Sequence, residues 1–428
     1  MDYRILPPPG LPEAEIRLPL SKSMSNRALL INALARQEAP SLQVATCDDT
    51  RVMQQALASA AGTIDIDGAG TAMRFLTAFF AATPGCSVIL TGNDRMKHRP
   101  IAPLVDALRK CGANISYCSG EGYPPLNIVG SKLTGCEIAI DSTMSSQFAS
   151  ALLMIAPYMK GGITLKLSAD TGSIPYIDMT LAMMREAGAD AERENLTVRV
   201  TEGRYTKPIE RVEADWSAAA FWYEIEAISS GFITLLGLDA QSIQGDSAAS
   251  RFFARLAVNT EFSPDFEGRG PAAELTASPE LSPRLQLDLS DHPDLTPAIA
   301  VTCAMVGVPF RLTGLDTLRV KECDRLDAIS RELRKVGVET EIIGNHTLEW
   351  TGRRMPLTVC PEFDTYGDHR MAMALAPISI FIPGIKIRNA EVVTKSYPQF
   401  WEHLTDAGFT IVDGDTPYES LFENTGEE

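Results

Sequence analysis

Two apolar patterns alternate along the chain. Short runs such as Ile163-Thr164-Leu165-Lys166-Leu167, Ile233-Thr234-Leu235 and Ile385-Lys386-Ile387 predict strands. Longer stretches, residues 25–35, 71–82, 146–155, 218–228, 297–305 and 370–378, are apolar almost all round and rich in small residues. A helix without a polar face belongs in a protein interior, so these stretches predict six buried helices, three in each half. Around them a unit of strand, polar turn, helix, turn and strand recurs about six times. Its first copy starts at Leu42-Gln43-Val44 and continues to a helix over residues 52–57.

Two copies also match in detail. An apolar strand closes on Leu90-Thr91-Gly92, a cationic loop Arg95-Met96-Lys97-His98-Arg99 comes next, and the helix after it ends Leu108-Arg109-Lys110. Downstream, Leu312-Thr313-Gly314 precedes Arg319-Val320-Lys321-Glu322-Cys323-Asp324-Arg325, and the helix ends Leu333-Arg334-Lys335. Two cationic loops in equivalent places suggest one anionic ligand gripped from two sides. The expected fold is α/β and two-lobed, with helices central and sheets outside. Residues 1–20 and 214–428 are expected to form one lobe and residues 21–213 the other, with three repeats each. The strand before Pro19-Leu20 is expected to pair with the C-terminal lobe.

Composition narrows the function. Of 428 residues 45% are hydrophobic and 22% charged, which describes a globular chain with a large core. A net charge of −17 argues against nucleic acid or an anionic membrane as the main partner, though not against a local cationic pocket. There is no run long enough for a membrane span and no apolar signal core after Met1, so a cytoplasmic address is expected. The 8 cysteines include no CxxC pair, and neither a structural metal nor a disulfide framework is expected.

The starts of the buried helices carry the candidate chemistry. They read Ser21-Lys22-Ser23-Met24-Ser25-Asn26-Arg27, Gly68-Ala69-Gly70-Thr71, Ser142-Thr143-Met144-Ser145-Ser146-Gln147, Ser290-Asp291-His292-Pro293-Asp294 and Tyr366-Gly367-Asp368-His369-Arg370. Free N–H groups at a helix start form an anion site, and glycine lets the anion approach. Serine, threonine and aspartate there also serve as plain N-caps. Capping needs no cations, and the lysines and arginines in these turns tip the reading toward ligand binding.

These segments, with Gly70-Thr71-Ala72-Met73-Arg74 and Pro175-Tyr176-Ile177-Asp178, resemble in order and over nearly the whole chain the 5-enolpyruvylshikimate-3-phosphate synthase family. The resemblance implies a two-lobed inside-out α/β barrel of the enolpyruvyl transferase type, six βαβαββ-like repeats and an active site in the cleft between lobes. It implies transfer of the enolpyruvyl group of phosphoenolpyruvate to the 5-hydroxyl of shikimate 3-phosphate, by a monomer without metal or organic cofactor. Lys22, Gly70, Arg99, Gln147, Arg325, Arg370 and Lys395 would then hold phosphoenolpyruvate. Lys22, Ser23, Arg27, Ser145, Ser146, Gln147, Ser173, Tyr176, Asp294 and Lys321 would hold shikimate 3-phosphate. Asp294 would be the base at the hydroxyl, Glu322 the acid and later base at the methylene carbon, and Lys22 a proton shuttle toward the departing phosphate. His369 would orient a carboxylate or pack. The competing assignments are solvated surface charge for the arginines, a core aromatic for Tyr176, a cap for Asp294, and a helical i, i+3 partner of Arg325 for Glu322.

The chain departs from the family at Gly68, where an asparagine is usual, at Thr317, and in the segment between Leu57 and Asp67, which is short by roughly one hairpin, so the first repeat of residues 21–213 is expected to be shortened. These changes bear on phosphoenolpyruvate affinity more than on reaction class. Gly70 matches the glyphosate-sensitive form. Two alternatives remain: a UDP-N-acetylglucosamine enolpyruvyl transferase, whose reactive loop cysteine is missing from residues 92–98, and a catalytically weak anion-binding protein on the same scaffold. The acidic tail after Asp413 is expected to be loosely packed or disordered.

Overall fold

A computed structural model describes residues 1–36, 39–140, 145–168, 172–357 and 360–422. The chain divides into two compact units: residues 1–19, 214–242 and 246–428, and residues 20–213 with 243–245. Each encloses its own apolar core. No helix among the described residues is long and apolar enough to cross a membrane.

Among the described residues there are five four-stranded sheets, and all obey one rule: an outer strand pairs parallel with its neighbour, and the other two pairings are antiparallel. In the second unit one sheet runs Ala61–Asp65, Ser87–Thr91, Leu126–Val129, Asn114–Tyr117, and another Glu137–Ile140, Ile163–Leu167, Thr197–Val200, Ala191–Glu194. A parallel pair needs a long crossover. Helices Gly70–Ala81 and Ser146–Ile155 provide it here, and both are buried along nearly their whole length. In the first unit, Leu285–Asp288 and Phe310–Thr313 are joined through Thr296–Val306, and Glu362–Phe363 and Ile385–Ile387 through His369–Leu375.

The N-terminus completes two sheets of the first unit. Glu13–Arg17 lies parallel to Phe232–Leu236, and Tyr3–Leu6 sits between Ile385–Ile387 and Thr410–Asp413, antiparallel to both. The last repeat therefore borrows its final strand from the start of the chain.

Two expectations need correction. Leu42-Gln43-Val44 is not a strand, and among the described residues the first repeat of the second unit has no sheet. It keeps its helices, Lys22–Ala35 and Asp48–Leu57. Residues 58–60 then lead directly into Ala61–Asp65, leaving too little chain for the missing hairpin. The tail is ordered as far as Phe422. Arg4 donates to the Thr416 carbonyl at 2.8 Å, and Tyr418 packs edge-on against Phe422. The final residues 423–428 lie outside the described ones.

One central helix of the first unit, Trp216–Ser229, carries two buried acids. Glu224 and Glu226 are 0% and 1% exposed, and neither carboxylate has a hydrogen-bond partner among the described residues. Burial raises both pKa values, that of Glu226 from 4.5 to about 7. An acid whose folded pKa is raised imposes no penalty below its unfolded value. The penalty grows as pH rises from 4.5 to about 7 and is constant above that. Glu226→Gln is therefore expected to stabilise the protein on the order of 3 kcal/mol at about pH 8 and by almost nothing near pH 4.5. Urea unfolding at the two pH values checks this, and an equal gain at both would contradict it.

Candidate active site

In the second unit one buried helix starts on a cation. Ser21 caps Lys22–Ala35 by accepting from Met24 N, and Lys22, the first helical residue, pairs with Asp49 at 3.0 Å. One turn later Arg27 is 2% exposed. Its guanidinium donates to Thr180 Oγ1 at 2.7 Å, Ser150 Oγ at 3.2 Å, and the carbonyls of Ser23 and Tyr176 at 2.9 and 3.3 Å. It also lies over the Phe75 ring. No carboxylate pairs with it among the described residues, and burial brings its pKa down to about 10. It stays cationic at neutral pH, held by neutral groups.

Three other helix starts join this one. Ser145 caps Ser146–Ile155 by accepting from Gln147 N, and the Gln147 amide donates to Thr71 Oγ1 at 3.1 Å. Thr71 comes directly after Gly70, the first residue of Gly70–Ala81. A β-carbon on Gly70 would lie 2.6 Å from Arg99 Nη1, so a larger residue there would push that guanidinium out of its place. Ser173, in a left-handed conformation, precedes Ile174–Glu186, and half-buried Tyr176 contributes its carbonyl to Arg27. Ser142, Thr143 and Met144 of the third cluster lie outside the described residues.

In the first unit the candidates converge on one guanidinium. Arg325 opens the helix Arg325–Lys335 and is 2% exposed. Its Nε donates to Asp368 Oδ2 at 2.6 Å, Nη1 to Asp294 Oδ1 at 2.8 Å, and Nη2 to Glu322 Oε2 at 2.7 Å. Burial opposes its charge, but Asp368, Glu322 and Asp294 hold its pKa well above the usual value. Asp294 also pairs with Arg370 at 2.9 Å and Lys321 at 3.3 Å. Lys395 donates to the Gly367 carbonyl at 3.0 Å. His369 is 2% exposed, with Nδ1 3.9 Å from Asp368 Oδ1.

Several competing assignments fall here. Arg27, Arg99, Arg325 and Arg370 are all at most 8% exposed, so none is a solvated surface charge. Asp294 sits in the 3₁₀ turn Pro293–Leu295, before the N-cap position of Thr296–Val306, and accepts from Arg325 and Arg370. Glu322 does pair with Arg325 three residues on, but from the bend before that helix rather than from within it, and this places it in the cluster. Capping and cations coexist: Ser21, Ser145 and Asp368 cap their helices, and cations sit in the first turns of two of them.

Sequence reasoning missed three acids. Asp368 holds Arg325 with both oxygens while capping His369–Leu375. Its place directly before a buried helix was the available signal. Asp49 pairs with Lys22 from the acidic first turn of the next helix. Asp67 accepts from the Asn93 amide at 3.0 Å and its carbonyl accepts from Asn93 N at 3.0 Å. That pair fastens the loop before Gly70 to the loop before Arg99, at the site of the Gly68 departure.

The chain resembles one group of known proteins. Residues 58–404 match the family model described as EPSP synthase (3-phosphoshikimate 1-carboxyvinyltransferase). A 3-phosphoshikimate 1-carboxyvinyltransferase of Bacteroides fragilis is 45% identical over 413 residues, covering 96% of this chain and 99% of that one. One from a Sulfurovum species is 35% identical, covering 92% and 96%. The solved EPSP synthase of Acinetobacter baumannii, at 21% identity, superposes with a TM-score of 0.75 over 96% of this chain and 100% of that one.

Removing Asp368 isolates the strength of the Arg325 cluster. Asp368→Ala leaves a buried guanidinium short of its two-oxygen partner, with an expected loss of about 3–5 kcal/mol of unfolding free energy. A urea denaturation midpoint within error of the parent would refute this.

Proposed function

Because the chain belongs to the EPSP synthase family, we propose that its two sets of cations serve one reaction, transfer of the enolpyruvyl group of phosphoenolpyruvate to the 5-hydroxyl of shikimate 3-phosphate with release of phosphate. The observation that carries this reading is the meeting of Asp294 and Glu322 on the Arg325 guanidinium, with Arg370 and Lys321 on the same aspartate. Both substrates are multiply anionic. Arginine grips carboxylate and phosphate with paired donors.

In this reading Arg325, Arg370, Lys395, Arg99 and Gln147 hold phosphoenolpyruvate, and Gly70 keeps its backbone open to the same ligand. Arg27, Ser23, Ser145, Ser146, Ser173, Tyr176 and Lys321 hold shikimate 3-phosphate. Asp294 takes the hydroxyl proton as the oxygen bonds to C2 of phosphoenolpyruvate, and Glu322 delivers a proton to the methylene C3. A tetrahedral intermediate results, stabilised by fixed guanidinium groups. Glu322 then removes a proton from the new methyl group as the C2–O bond to phosphate breaks, and Lys22 protonates the departing phosphate. His369 supports Asp368. The relatives at 45% and 35% identity carry the name of shikimate-3-phosphate transfer, which favours that acceptor over a UDP-sugar. A cytoplasmic monomer without metal or organic cofactor completes the proposal.

Phosphate release from purified protein with both substrates tests it. Turnover in the parent is expected. Glu322→Gln and Asp294→Ala should each lower kcat by about 10²–10⁴ while the fold is kept. No turnover in a folded parent that still binds shikimate 3-phosphate would replace this reading with the anion-binding one. Gly70→Ala should raise KM for phosphoenolpyruvate at least roughly tenfold, because the new methyl group displaces Arg99. An unchanged KM would remove Gly70 and Arg99 from the site.

A further inference from the structure

Seven residues beyond Arg325, on the same face of the same helix, stands a carboxylate that the proposed chemistry does not use. The Glu332 side chain is 0% exposed. Its Oε1 accepts from the Tyr366 hydroxyl at 2.6 Å. Its Oε2 accepts from Lys335 Nζ at 2.6 Å and from the backbone N–H of Asp364 at 3.1 Å. Lys335 Nζ also donates to the Glu362 carbonyl at 2.8 Å. One buried acid thus fastens the middle of this helix to residues 362–366.

The residues just beyond this point give the fastening its consequence. Tyr366 and Gly367 both have positive φ, 54° and 69°. Glycine adopts this freely, whereas a tyrosine there costs of order 1 kcal/mol and persists where its surroundings enforce it. The bond to Glu332 is such an enforcement. The next residue, Asp368, donates its backbone N–H to the Thr365 carbonyl at 2.8 Å, caps His369–Leu375 and grips Arg325. The segment 364–368 is therefore pinned to one helix at two points, by Glu332 near its start and by Arg325 at its end. Gly367, within it, accepts from Lys395.

We propose that Glu332 and Tyr366 are positioning residues: together they set the turn that aims Asp368, and through it Arg325 and Arg370, at phosphoenolpyruvate. Neither touches the substrate. The proposal rests on the assignment of Arg325 and Arg370 to phosphoenolpyruvate, and the test separates the two claims.

Tyr366→Phe removes one hydroxyl, Glu332→Gln removes the charge, and Arg325→Ala removes the group being positioned. The readouts are KM for each substrate, kcat, binding of shikimate 3-phosphate alone by calorimetry, and melting temperature. Tyr366→Phe and Glu332→Gln should each raise KM for phosphoenolpyruvate roughly tenfold, with shikimate 3-phosphate affinity changed less than about twofold. Their double variant should be no worse than the poorer single one, since both cut the same link. A phosphoenolpyruvate KM within about twofold of the parent in Tyr366→Phe, beside a large effect of Arg325→Ala, would overturn the positioning role alone. Equal weakening of both substrates with a lowered melting temperature would also overturn it, in favour of a purely structural bond. No effect of Arg325→Ala on phosphoenolpyruvate would instead sink the underlying site assignment. Should Glu332→Gln not fold, Tyr366→Phe decides.

Discussion

Several arginines of this protein have been taken out of water and must stay both charged and partnered, and the surrounding architecture answers to that requirement. A buried guanidinium without a partner is costly. The first unit meets the cost with carboxylates: Arg325 faces Asp294, Glu322 and Asp368, which come from three separate stretches of chain. The second unit meets it differently. Arg27 is surrounded by hydroxyls, carbonyls and an aromatic ring, and its charge is left uncancelled among the described residues. An uncancelled buried cation is a strong attractor for an anion, whereas a cation within a carboxylate cluster is a rigid, oriented donor.

This division has a chemical sense. The groups proposed to move protons, Asp294 and Glu322, are the groups that keep Arg325 in place. Their oxygens are oriented by the same guanidinium that would grip the donor substrate. Preorganised charge of this kind needs no rearrangement when charge develops on the reacting atoms. The small residues at the helix starts serve the same end, since Gly70 yields its side-chain space to Arg99.

The fold provides the rigidity. Helices that cross between parallel strands have both ends tied to a sheet, and Arg370, in the first turn of His369–Leu375, inherits that fixity. The chain start, by supplying Tyr3–Leu6 and Glu13–Arg17 to two sheets of the first unit, ties the last repeat to the first. The repeat that lost its sheet keeps the helix bearing Lys22 and Arg27, and its second helix supplies Asp49, the partner of Lys22. The shortened part is sheet, while the helices that carry the candidate residues are present.

Much of this was legible in the sequence. A helix apolar on every side has one stable location, so the six buried helices could be read from pattern alone. The cations at their starts were legible because a cation there opposes the helix dipole and calls for a ligand. The shortening of the first repeat was legible in the short segment after Leu57, but the strand read at Leu42-Gln43-Val44 was not there, because strand composition alone does not supply a ladder partner. Asp368, Asp49 and Glu332 were missed for a related reason. A lone acid beside a helix reads as a cap or a surface charge, and only packing decides which guanidinium it faces. Residue type and periodicity dictate which positions are buried and which carry charge. Which charges become neighbours is a matter of packing, because pairing across 27 or 43 positions is set by how helices and sheets come together.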